Sequence, residues 1–135
     1  MPATKARQER NRLKKLAEEA QSVVKVDVNA NPFWRDVLKK PTLIAAPMVR
    51  HTDLPCRMMF RAHGAQLCYT AMIDSDKYVA GDASTRDNFF TTDPADRPLV
   101  VQLGASKEED FIEAARLLQG RCDAVCLNMD CPQAI

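Results

Sequence analysis

No stretch of the 135-residue chain approaches the roughly 18–20 consecutive apolar residues that span a bilayer. The N-terminus from Met1 to Lys15 is charged and lacks the apolar core of a secretory signal. No Cys-x-x-Cys pair occurs among Cys56, Cys68, Cys122, Cys126 and Cys131, and His51 and His63 are the only histidines, so spacing gives a zinc site no support. The number of cysteines is odd and nothing points to secretion, which argues against a disulfide framework. No Gly-x-Gly-x-x-Gly follows the first apolar run, which argues against a dinucleotide-binding sheet. These absences make a soluble intracellular protein, without membrane segment or metal, the default expectation.

What is present suffices for one domain at most. Apolar residues make up 46% of the chain, enough for a core. The net charge of +1 hides an asymmetry: residues 1–40 carry +5 and residues 41–135 carry −4. A basic segment ahead of an acidic body can help hold a polyanion such as RNA, and it can equally be a solvated tail. Residues 4–21 are rich in helix formers but show only a thin apolar stripe, at Leu13, Leu16, Ala17 and Ala20. Asn31-Pro32 marks a turn, and Phe33-Trp34 is placed to tack this extension onto the body.

From Pro41 the pattern alternates. Residues 42–46, 66–72, 98–103 and 123–128 are short apolar runs that read as strands. Thr52-Asp53-Leu54-Pro55 reads as a helix start, Leu54, Met58 and Ala62 as its inner stripe, and Gly64 as its stop. A short helix is expected near 75–80, with an extended piece near Phe89-Phe90. Ser106 to Glu109 has capping-box spacing, and Phe111, Ile112, Ala114, Ala115 and Leu118 form the expected inner face of the following helix, which Gly120 ends. Strands alternating with amphipathic helices imply a parallel α/β sheet covered on both faces. A complete (β/α)8 TIM barrel needs about 250 residues. Residues 41–135 supply about its first four strands, and a doubly wound sheet fits equally well.

The polar and Pro residues fall at the C-terminal ends of these strands, where parallel α/β proteins do their chemistry. They are Pro47, Met48, Val49 and Arg50 after the first strand, Tyr69 to Met72 on the second, Gln102 on the third, and Asn128 to Pro132 on the fourth. Spacing alone leaves Cys131 open as a structural thiol, Gln102 as a barrel cap and Met48 as core. Arg50, His51 and Arg57 read as solvated cations, with a phosphate contact as the alternative. His63 is placed to meet the last carbonyls of its helix.

Four ordered motifs carry a resemblance: Ala-Pro-Met-Val-Arg, Cys-Tyr-Thr-Ala-Met-Ile, Arg-Pro-Leu-Val-Val-Gln-Leu and Leu-Asn-Met-Asp-Cys-Pro-Gln. In order and spacing, residues 42–135 resemble the N-terminal half of the tRNA-dihydrouridine synthases, and most of all the eukaryotic branch acting at positions 20a and 20b. The resemblance implies a partial FMN-binding barrel and an oxidoreductase. The implied reaction is reduction of a tRNA D-loop uridine to 5,6-dihydrouridine, with FMN as cofactor and NAD(P)H as reductant, in the cytoplasm and also the nucleus. It makes Cys131 the proton donor and Asn128 the residue that holds the base edge. Pro47, Met48 and Val49 would lie along the flavin, Gln102 would hydrogen-bond its ring, and Tyr69 and Thr70 would line the pocket.

Two departures from the pattern matter. Asp130 stands where the family turn has Gly, placing a carboxylate beside Cys131 that would raise the thiol pKa and weaken activity. The family's phosphate-binding loops and its downstream Lys, His and Arg have no counterpart here, and half a barrel exposes a sheet edge. The chain by itself is therefore expected to be marginal or inactive. The alternatives are a catalytically dead fragment that binds RNA or a partner, and an FMN barrel of the dihydroorotate dehydrogenase type.

Overall fold

The computed structural model describes residues 11–14 and 27–129. Residues 11–14 are helical, while the rest of the expected 4–21 helix, together with Asp130 and Cys131, lies outside the described residues. The chain divides into two compact units, Met1–Ala30 and Asn31–Ile135.

The second unit is a twisted parallel sheet with helices packed on one face. Its strands are β1 (Ile44–Ala45), β2 (Leu67–Tyr69), β3 (Ile73–Asp74), β4 (Leu99–Gly104) and β5 (Ala124–Leu127). Strand β1 pairs with β2, β4 pairs with β2, β3 and β5, and every pairing is parallel. Strands β2 and β3 meet β4 at successive positions, Cys68 opposite Leu99 and Ile73 opposite Leu103. They are thus two pieces of the second expected strand, interrupted at residues 70–72. The order β1, β2/β3, β4, β5 is that of the first four strands of a (β/α)8 barrel. The sheet is open, and Leu43 and Ile44 on one edge and Leu127 on the other are exposed.

Four helices connect the strands: α1 (Leu54–Ala62), α2 (Ser75–Ala80), α3 (Ala83–Phe89) and α4 (Glu108–Leu117). Asp53 caps α1 by accepting from Cys56 N at 3.1 Å, and Pro55 sits in the first turn. His63 Nδ1 meets Met59 O at 2.9 Å, and Gly64 takes φ +98° just beyond it. The end of α1 is thus built as its residue types predict. Its inner face is not: Ala62 is exposed and the deeply buried residue is Arg57. The expected extended piece near Phe89 is instead helix α3, whose cap Asp82 accepts from Thr85 N at 2.8 Å; only Phe90 is extended. The capping box of α4 does not form. Its N-cap is Lys107, and three acids in the first turn (Glu108, Glu109 and Asp110) meet the helix dipole instead. Ile112 is exposed, while Ala114 and Leu118 are fully buried.

The two faces of β4 sort the core. Leu99, Val101 and Leu103 pack with Tyr78, Phe90, Ala114 and Leu118 on the helix side. Burying such a side chain stabilises by about 1.5–3 kcal/mol. Val100 faces the other way and packs with Leu67 and Leu38, flanked by Trp34, Tyr69, Ala124 and Cys126. That second face corresponds to a barrel interior. Trp34 and Leu38 cover its lower part, and the next residue up the same face of β4 is Gln102.

Candidate active site

Gln102 comes from the inner face of β4, and Asn128 follows β5, its neighbour. The register pairs Gln102 with Cys126, so alternation returns Asn128 to the same face two residues later. Asn128 N donates to Leu103 O at 2.8 Å, which extends the ladder by one bond and fixes the residue's height. Its side-chain Nδ2 then donates to Gln102 Oε1 at 3.3 Å and approaches Met72 Sδ at 3.3 Å. Two amides and a thioether, from β4, the residue after β5 and the break between β2 and β3, as far as 56 residues apart in sequence, therefore converge toward the C-terminal rim. The NH2 of Gln102 has no protein partner among the described residues.

The break between β2 and β3 positions this cluster. Thr70 is 1% exposed; its Oγ1 accepts from Gln102 N at 3.2 Å and donates to Ala71 O at 2.8 Å. A side-chain oxygen thereby substitutes for a ladder carbonyl exactly where β2 leaves the sheet, and it turns Ala71 and Met72 toward the rim. Tyr69, one residue earlier, packs on the inner face, and burial pushes its phenol above the usual tyrosine range. It is a neutral wall at ordinary pH.

The loop after β1 supplies the apolar part. Met48 and Val49 are 39% and 49% exposed, and Pro47 is half-buried beside them. The loop is held from inside by Thr52, 1% exposed, whose hydroxyl donates to Met48 O at 3.0 Å and accepts from Met48 N at 3.1 Å. Met48 is thus a presented side chain on a clamped backbone, not part of the core.

Behind the loop sits a buried charge cluster. Arg57 donates to Asp96 Oδ2 through Nε at 2.9 Å and Nη2 at 2.7 Å, and Arg61 Nε donates to Asp96 Oδ1 at 2.9 Å. Arg57 also donates to Thr52 O and Thr91 O, both at 2.7 Å. It therefore ties the β1 loop to the segment preceding β4. The reading of Arg57 as a solvated cation is overturned, because the side chain is 1% exposed and four of its five guanidinium N–H donors find acceptors inside the fold. The i, i+4 spacing of Arg57 and Arg61 was the available signal; their partner 35–39 residues later was not visible.

The described cysteines are free and do not enter the cluster. Burial pushes the Cys68 and Cys122 thiols up, so neither is a ready nucleophile. Of the expected site residues, Gln102 and Asn128 touch, and Pro47, Met48 and Val49 stand on the loop at the same rim.

Residues 43–135 match the family profile described as dihydrouridine synthase (Dus). A tRNA-dihydrouridine(16/17) synthase-like protein of Rattus norvegicus is 42% identical over 104 residues, covering 76% of this chain and 24% of its own length. The tRNA-dihydrouridine(16/17) synthase of Saccharomyces cerevisiae is 41% identical over 102 residues, covering 74% of this chain and 24% of its own length. The Homo sapiens tRNA-dihydrouridine(20a/20b) synthase-like protein is 37% identical over 90 residues, covering 67% of this chain and 28% of its own length. Both branches match, and these figures do not single out the 20a/20b branch. The chain spans about a quarter of the length of the curated relatives it matches. With the profile covering most of the chain and a parallel sheet in barrel strand order, this chain belongs to the dihydrouridine synthase family.

Proposed function

We propose that this chain carries the uridine-holding and proton-donating part of an FMN-dependent, NAD(P)H-driven reductase that converts a tRNA D-loop uridine to 5,6-dihydrouridine. The observation that carries the reading is the Asn128–Gln102 amide pair on neighbouring strands, closed by Met72. The donor set fits the ring of a flavin: exposed Met48 and Val49 offer apolar contact for its face, and the Gln102 NH2 offers a hydrogen bond to its polar edge. When bound, reduced flavin supplies a hydride to C6 of the uracil.

The chain's own residues account for the rest. The Asn128 side chain both donates and accepts hydrogen bonds, so it matches a uracil edge. Cys131, three residues on, delivers a proton to C5. A thiol near its ordinary pKa of about 8.5 is mostly protonated at neutral pH and can act as that acid. Thr70 and Thr52 hold the backbones of Gln102 and Met48 in place. The names of the relatives, tRNA-dihydrouridine synthases with NAD(P)(+), support both the substrate and the reductant.

The test is Cys131→Ala in the chromosomal gene, followed by dihydrouridine mapping across total tRNA. Loss of the modification at one D-loop position, with the protein still present, is expected. An unchanged map would remove the proposal. The position lost also decides between the 16/17 and 20a/20b sites.

A further inference from the structure

Beside the rim lies a cleft of about 330 Å³, bounded by residues 49–54 on one side and 87–91 on the other, with residues 70–72 and Arg57 also lining it. Most charges on its walls are committed elsewhere. Asp53 caps α1. Asp87 is paired with Arg121 at 2.7 Å. Arg57 is spent on Asp96 and two carbonyls. Arg50 is different: it is exposed and has no hydrogen-bond or ion-pair partner among the described residues.

Arg50 is also held in an unfavourable backbone conformation, at φ +64°. A non-Gly residue stays in the left-handed region only when its surroundings impose it. Here they do. Met48 O accepts from both His51 N at 3.1 Å and Thr52 N at 3.2 Å, closing a turn around Arg50. The Thr52 hydroxyl locks Met48 from inside, and Arg57 Nη1 holds Thr52 O. A buried framework thus fixes a strained turn that presents the Arg50 guanidinium on the cleft wall, with the exposed His51 beside it.

We infer that Arg50 is a phosphate-binding residue, and that the phosphate it takes belongs to the backbone of the RNA strand flanking the reduced uridine. The inference rests on the tRNA reading above. A guanidinium matches phosphate oxygens in a bidentate fork, and fixing its backbone removes part of the ordering cost of that contact. The FMN phosphate has the same chemistry and is the competing source.

The experiment compares wild-type protein, expressed from its own gene, with Arg50→Gln and Arg50→Gly. Unmodified tRNA affinity is measured against salt, and FMN affinity by flavin fluorescence. One lost phosphate contact lowers the log–log salt slope by about 0.7–0.9, so between about 50 and 200 mM salt the wild type should lose about threefold more affinity than Arg50→Gln. Arg50→Gly relieves the left-handed backbone, so it should melt no lower than wild type yet bind tRNA as weakly as Arg50→Gln. Equal salt slopes for wild type and Arg50→Gln would overturn the inference. So would lost FMN affinity with tRNA binding intact, which would assign the phosphate to the cofactor. Absence of uridine reduction with the slope change still present would remove the reductase reading and leave the Arg50 contact standing.

Discussion

The Arg57–Asp96–Arg61 cluster should respond to mutation in an order that its stoichiometry dictates. One carboxylate, 0% exposed, serves two guanidinium groups that are 1% and 11% exposed. Surface ion pairs contribute only about 0–1 kcal/mol. Removing one partner of a buried pair strands the other and costs about 3–5 kcal/mol. Asp96→Ala strands two cations at once and should sit at the upper end of that range. Arg61→Met leaves Arg57 and Asp96 as a one-to-one pair and loses two carbonyl contacts, to Arg97 O and Pro98 O. At about 0.5–1.5 kcal/mol each, those contacts set a smaller loss of about 1–3 kcal/mol. The double variant Asp96→Ala/Arg57→Met removes the most buried stranded charge and should recover stability relative to Asp96→Ala alone. Urea unfolding measures all three: with a slope of about 1–3 kcal/mol/M, Asp96→Ala should lower the midpoint by more than about 1 M at unchanged slope. Asp96→Asn, which keeps an acceptor oxygen, covers the case in which the Ala variant does not fold. An Asp96→Ala cost below that of Arg61→Met, or a double variant weaker than Asp96→Ala, would refute the stranded-charge reasoning.

Thr70→Val keeps the shape of the side chain but removes the acceptor for Gln102 N. An unsatisfied buried N–H costs about 1–3 kcal/mol, and amide exchange at Gln102 should accelerate measurably by NMR. Gly120 takes φ +78° with no heavy atom within 4 Å of an added Cβ. Gly120→Ala should therefore cost only the backbone term, about 1–2 kcal/mol, a fall in Tm of several degrees in a calorimetric scan. Hydrogen bonds from Thr85 N and the Thr85 and Ser84 side chains hold the Asp82 carboxyl below the usual range. Its stabilising effect is complete above that range and is lost as pH falls through the lowered native value. Asp82→Ser retains a cap without a titrating group, so its urea midpoint should fall less steeply than the wild type's over the same acid interval.

Where the sequence carried a one-dimensional signal, the fold was legible in it. The strand runs, the Asp53-Leu54-Pro55 start and the His63-Gly64 stop all rest on local chemistry or period, and the structure has each of them. Misreadings occurred where a tertiary partner outbid a local preference. Ser106 and Glu109 have the spacing of a capping box, but the N-cap of α4 falls one residue later, at Lys107, with the acids of the first turn already satisfying the dipole. Arg57 falls on the inner stripe of α1, where composition expects solvent, because Asp96 lies 39 residues away in sequence and fully buried beside it. The second strand is split by a Thr hydroxyl that takes over one ladder bond, and nothing in the residues 66–72 announces that exchange. The rim shows the same division. Gln102 and Asn128 were identifiable as amides at strand ends, but their contact depends on the register of β4 against β5, and Met72 joins them only because the strand breaks at Thr70. The residues that present the chemistry are thus legible singly. Those that hold them in place (Thr52, Thr70, Arg57 and Asp96) are buried polar groups whose meaning lies entirely in their partners.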